Sequence, residues 1–231
     1  MTTMVLCAVE PFTSPVWGSN FTVFTSATGD VIPESQSKEY ISKCCKYAKL
    51  HEVYLVPERF ILMEYQCMCL ISPSGKVLGA QKCLYWNTEY RGVKRSSAME
   101  VLNTEFGAIA LCVDVDIFRP EVPRIAVGMG AHVLICSQQI SMADYNSGMI
   151  VSGVWSAAQN NNLFTVGVSN AFNCVCAPRV MTKHNDGFLV APGLKVPMNI
   201  KLAADAIDRM PPRYCLSRKF YAVHRKELIG E

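Results

Sequence analysis

The chain has 231 residues, 50% of them hydrophobic and 18% charged, with a formal net charge of +3. That length and apolar content suit one sizeable core in a single domain, residues 1–231, and a positive charge so small and scattered argues against a nucleic-acid surface. Eleven cysteines, an odd count with no basic leader ahead of them, point to free thiols in a reducing, cytoplasmic compartment rather than to a disulfide framework.

Met4 to Val9 is an apolar run of strand length, too short to span a membrane, and it ends at Glu10-Pro11. Phe12 to Ile32 mixes Ser, Thr, Gly and aromatic residues and reads as a loop able to wall a pocket. Ser35 or Ser37 suits the N-cap of a helix through Leu50, with Tyr40, Ile41, Cys44, Cys45 and Ala48 on its buried side. Val53 to Val56 is the next strand, followed by Pro57-Glu58. Tyr65–Ser72 and Lys76–Ala80 form a hairpin across Pro73-Ser74-Gly75, leading into Gln81-Lys82-Cys83. Tyr85 to Val93 is a polar and aromatic loop containing Glu89, and 94–104 reads as a surface connection. The Cys67-Met-Cys69 and Cys174-Val-Cys176 pairs lack zinc-knuckle spacing and any His-x-x-x-His partner, so no metal is expected. His51, His132, His184 and His224 show no spacing that asks for a site.

The middle of the chain is the most regular. Ala108 to Val113 is a near-continuous apolar run, as in a strand covered on both faces. Pro120 suits a first helical turn, Val122, Ile125, Ala126 and Met129 recur at helical spacing, and Gly130 closes that helix before the apolar Val133–Cys136. Met142 to Asn161 is expected as a helix with Ile150, Val154, Ala157 and Ala158 inward, and Leu163–Val168 as another buried strand. Phe188–Val190 is a late strand, and an irregular tail is expected from about residue 192. This alternation of strands and helices describes an α/β layered domain. It places Glu10, Lys82 and Cys112 alike, each at or just past a strand end. A lysine favours thiolate, a carboxylate can take the thiol proton and later one from water, and the ammonium can face an oxyanion. Together they would do acyl-transfer chemistry. Taken alone, Cys112 reads more readily as an inert core thiol.

Three stretches resemble motifs of the nitrilase superfamily, the carbon–nitrogen hydrolases, with the aliphatic-amidase-like branch nearest. Val5-Leu6-Cys7-Ala8-Val9-Glu10 is similar to the strand that ends in the family's catalytic glutamate, with Val9 where Pro is usual. Gly75-Lys76-Val77-Leu78-Gly79-Ala80-Gln81-Lys82 is similar to the lead-in to the catalytic lysine, one residue shorter. Leu111-Cys112-Val113-Asp114, followed by Phe118-Arg119-Pro120-Glu121 and Arg124, resembles the nucleophile motif Cys-Tyr-Asp-x-x-Phe-Pro-Glu-x-x-Arg, with two residues more after Asp114. Glu89 resembles the second glutamate, which holds the lysine, and Glu58 a structural glutamate of the family.

The resemblance implies a four-layer α-β-β-α sandwich that is N-terminally shortened, lacking the usual first strand and helix, and that assembles as a homodimer or higher homo-oligomer. It implies hydrolysis of a small carboxamide, less readily a nitrile, through a thioester on Cys112. Glu10 would be the base, Lys82 and the Val113 N–H would steady the oxyanion, and Glu89 would orient Lys82. No cofactor, nucleic acid or membrane is implied. The alternative is a catalytically silent, shortened relative acting as an interaction or structural subunit.

Overall fold

A computed structural model of the chain describes residues 3–25, 30–85, 93–140, 145–193 and 198–202. Two sheets lie face to face, with α1 (Glu34–His51) outside the first, and α2 (Glu121–Gly128), α3 (Ser147–Ile150) and α4 (Ser156–Asn161) outside the second. This is the expected α-β-β-α order of layers.

The strands of the first sheet are β1 (Met4–Val9), β2 (Phe21–Phe24), β3 (Tyr54–Val56), β4 (Phe60–Leu62), β5 (Tyr65–Ile71) and β6 (Val77–Lys82). In the second run β7 (Val101–Thr104), β8 (Gly107–Val113), β9 (Val133–Gln138), β10 (Phe164–Ser169), β11 (Asn173–Cys176) and β12 (Phe188–Gly193), while β13 (Met198–Leu202) returns to the first sheet. The first sheet is ordered β13-β1-β2-β3-β5-β4, with β6 on β5, and the second β12-β11-β10-β9-β8-β7. In the first, β1, β2 and β3 are parallel; in the second, β8, β9 and β10 are. The edge of β1 is covered by antiparallel pairing with β13, so the chain's first strand is not left open to a second sheet edge.

The alternation of side chains across each pleat makes three cores. Leu6, Ala8, Val23, Met68 and Leu70 meet Ile109, Leu111, Val113, Ile135 and Val166 between the sheets. Cys7, Leu55, Cys67 and Cys69 face Tyr40, Cys44 and Ala48 of α1. Ala110, Cys112 and Cys136 face Val122, Ala126, Ala157 and Ala158 of α2 and α4.

Several local expectations need correcting. Residues 21–24, expected within a loop, form β2, whose four residues are all buried; its alternation is too short to separate from its Ser/Thr flanks by pattern. The connection 94–104 contributes β7, and the expected tail from about 192 contains β13. Helix α1 starts at Glu34, and Ser37 is no cap: its hydroxyl donates back to the Pro33 carbonyl at 2.9 Å. The helix expected over 142–161 is broken, running through α3, a π-helical turn at Val151–Trp155 and then α4, with Gly153 at φ −98°, ψ −106°. The Val154 carbonyl at this break accepts from Thr165 Oγ1 at 2.7 Å, so the irregular turn leaves it satisfied.

Candidate functional site

The ends of the parallel strands are where an α/β framework gathers reactive groups. β8 ends at Val113 and the next residue, Asp114, takes a left-handed backbone at φ +54°, turning the chain sharply into a 3-10 turn, Asp114–Phe118, and then α2. Aspartate enters that region more readily than most residues, the more so when its side chain is anchored. Asp114 is so held. Its Oδ1 accepts the Gln139 N–H at 3.0 Å and lies 3.3 Å from Nη1 of Arg59, with both charged side chains 1% exposed. Arg59 comes from the loop between β3 and β4, so this ion pair joins the strand ends of one sheet to those of the other.

Two residues on, Asp116 is fully buried and points back toward the end of β6. Its Oδ2 accepts the Leu84 N–H at 2.9 Å and its Oδ1 the Tyr85 N–H at 2.8 Å, with Cys83 Sγ at 3.7 Å. Burial pushes the Asp116 carboxyl up to about 6, against the pull of those donors, and the nearby Asp114 adds to the rise. Tyr85 is fastened on both sides: its hydroxyl donates to Glu121 Oε1, and the Arg119 guanidinium lies 4.9 Å above its ring.

Among the described residues, the nominated side chains of Cys112 and Lys82 do not meet in this crevice. Cys112 is 1% exposed and faces the layer beneath α2 and α4, beside Cys136. Burial first, and the Cys136 thiol second, raise its pKa well above the ordinary thiol range, so the protonated form dominates. Lys82 is the outward residue of β6; it pairs in register with Cys67 on the α1 side of the first sheet, and its Nζ lies 4.4 Å over the Tyr65 ring. Cys112 and Lys82 therefore stand on the two outer faces of the sandwich, with both sheets between them. The cause is the period of two: Gln81 takes the inward place at the end of β6, and Val113 the inward place at the end of β8. Glu10 is exposed at the end of β1, and among the described residues no contact joins it to Lys82 or Cys112. Val113 is paired with Ser137 in the β8–β9 ladder. Glu89 lies outside the described residues.

Glu58 has the structural part expected of it, accepting the Tyr40 hydroxyl at 3.1 Å while its own N–H donates to that oxygen at 3.1 Å. Asp114, Asp116, Arg59 and Gln81, all buried at or near these strand ends, were not nominated from sequence. A signal for the first two was present in the spacing. Counted back from Pro120-Glu121, Asp114 stands seven residues before Glu121 and ten before Arg124, the separations the motif Cys-Tyr-Asp-x-x-Phe-Pro-Glu-x-x-Arg gives its cysteine. Asp116 then falls on the motif's aspartate, and the two surplus residues vanish.

Among the described residues no group of three or more His, Cys, Asp or Glu side chains could hold a metal ion, and no helix is long and apolar enough to cross a membrane. A groove of about 330 Å³ lies outside the second sheet, lined by Phe118, Pro123 and Arg124 on one side and Ser152, Ser156 and Asn160 on the other.

No protein-family model and no curated protein matches the chain. Solved structures do. A carbon–nitrogen hydrolase from Helicobacter pylori G27 superposes with a TM-score of 0.71 at 12% identity, over 94% of this chain and 93% of that one. Saccharomyces cerevisiae Nit3, a member of branch 10 of the nitrilase superfamily, gives 0.71 at 12% identity over 89% and 92%. A mutant of the amidase from Nesterenkonia sp. AN1, with the acetamide moiety of fluoroacetamide added covalently at its active-site cysteine, gives 0.67 at 16% identity over 94% and 97%. At these identities the likeness is one of fold, and the chain has the nitrilase-superfamily fold along nearly its whole length.

Proposed function

We propose that this chain uses the carbon–nitrogen hydrolase architecture as an interaction or structural subunit and does not hydrolyse amides through Cys112. The observation that carries the reading is the turn after β8: a buried carboxylate, Asp114, neutralised by Arg59, holds the place where the motif spacing puts a nucleophile. A carboxylate whose charge is matched by a guanidinium 3.3 Å away and screened from water is a poor nucleophile, and the thiol beneath two helices is buried and held protonated, the nearby Asp116 adding to the rise of its pKa. The homo-oligomer implied by the family resemblance belongs to this proposal, since a structural subunit acts by association.

A second reading is hydrolysis of a small carboxamide, less readily a nitrile, with Cys112 as nucleophile, Glu10 as base, Lys82 at the oxyanion and Glu89 beside it. It is favoured by the likeness of fold to the Nesterenkonia amidase, whose cysteine carries an acetamide moiety. It requires Cys112 and Lys82 to leave opposite faces of the sandwich.

Ammonia release from a panel of acetamide, propionamide, butyramide and benzonitrile separates the two. The first reading expects no release above buffer from the wild type. Turnover that disappears in Cys112→Ala, with the fold intact by circular dichroism, would replace it with the second.

A further inference from the structure

Asp116 is a buried carboxylate that neither reading uses. It belongs to the turn after β8 in the second sheet, yet both its oxygens hold backbone N–H groups just past β6 in the first, at Leu84 and Tyr85. The attachment is reinforced by Cys83, which approaches Asp116 Oδ1 and whose thiol donates to the Tyr85 carbonyl at 2.8 Å.

Among the described residues the charge around this point does not balance. Asp114 and Asp116 are both buried, and the guanidinium of Arg59 contacts Asp114. Among the described residues no cation touches Asp116; its partners are two N–H groups and a thiol. The other titratable groups facing it are Cys83 at the end of β6 and Cys112 at the end of β8, both thiols raised by burial and by the carboxylate itself. Glu121 and Arg119 act on the far side of Tyr85, at its hydroxyl and ring. Among the described residues an ionised Asp116 therefore has no countercharge in its cradle, whereas in water it would be well solvated.

We propose that Asp116 is a proton-operated latch between the two sheets, holding Cys83–Tyr85 tightly when its carboxyl carries a proton and loosening that segment when the proton leaves. The direction follows from the balance above. Protonation removes the uncompensated charge while leaving oxygen lone pairs for the two N–H groups. Deprotonation favours the opened form, in which water solvates the carboxylate. Burial pushes the carboxyl up to about 6, which puts the change of charge within the range of ordinary buffers.

Amide hydrogen exchange read by NMR on the whole chain tests this, with rates normalised to the intrinsic exchange at each pH. The open population at Leu84 and Tyr85 is expected to rise roughly tenfold or more between pH 4.8 and pH 7.2, with a midpoint near 6. Asp116→Asn should flatten that dependence and Glu121→Gln should leave it in place. The Asp116 carboxyl carbon shift of the wild type, which needs no variant to fold, should titrate near the same midpoint. The latch is overturned by a carboxyl titrating near the ordinary aspartate value of about 4. It is equally overturned by pH-independent protection in the wild type, by a dependence that survives Asp116→Asn, or by one abolished in Glu121→Gln.

Discussion

Arg59 Nη1 and Asp114 Oδ1 lie 3.3 Å apart with both side chains 1% exposed, and this pair links the loop after β3 to the turn after β8. A buried ion pair contributes little net stability, because desolvation offsets attraction, but removing one partner leaves the other charged and unmatched. Arg59→Leu alone or Asp114→Leu alone is therefore expected to lower the unfolding free energy by about 3–5 kcal/mol, and the Arg59→Leu/Asp114→Leu double variant by much less than the sum. Urea unfolding of the four proteins checks it. Additive single effects would mean that the two side chains do not act as a pair.

The pH dependence of global stability carries the mark of Asp116. Its folded pKa, about 6, lies above the ordinary value of 3.8 because burial disfavours the charge. A group raised in this way contributes its stability fully below the unfolded pKa and loses it as pH rises through the folded one. A rise of this size corresponds to about 2–3 kcal/mol lost between pH 4 and pH 7. Asp116→Asn lacks the titration, so its stability relative to the wild type should improve by about that amount across the window. Paired denaturant curves at pH 4, 5, 6 and 7 measure the difference; a gap that stays constant would contradict the assignment.

Neighbouring residues of β6 should behave in opposite ways. Gln81 is buried, its Oε1 accepting the Glu100 N–H at 2.8 Å and its Nε2 donating to the Ala98 carbonyl at 3.2 Å. Gln81→Ala leaves that N–H and that carbonyl without their partners and should cost about 1–3 kcal/mol. Lys82 is exposed, with its Nζ over the Tyr65 ring among the described residues, so Lys82→Ala should cost under about 1 kcal/mol. Thermal unfolding of both variants decides. A larger loss at Lys82 than at Gln81 would show that the side-chain alternation of β6 runs the other way.

Much of the sandwich was legible because its central elements are written plainly. The run Ala108–Val113, Pro120 at a helix start, Gly130 after its end and the run from Val133 mark strand, helix and strand without reference to any other part of the chain. β2 and β11 are four residues each and fully buried, too brief for a period to show against their polar flanks. The break at Gly153 depends on a partner far along the chain, since Thr165 completes the Val154 carbonyl, and no local pattern announces it. The facing of the nominated side chains was hidden for a different reason. Strand ends were read correctly, but which face each terminal residue takes is decided by a shift of one position, and Lys82 and Cys112 are both one step from the inward place. Anchoring the nucleophile motif on its cysteine spelling pointed to Cys112; anchoring it on Pro120-Glu121 and Arg124 points to Asp114, the residue with the left-handed backbone.

Alkylation of the folded protein by iodoacetamide at pH 7.5, mapped by peptide mass spectrometry, tests the central claim most directly. The account predicts that Cys112 stays unmodified until urea unfolds the chain, while the partly exposed Cys45 reacts ahead of it. Stoichiometric modification of native Cys112 within minutes would contradict it, for that requires an accessible thiolate where the structure has a buried thiol.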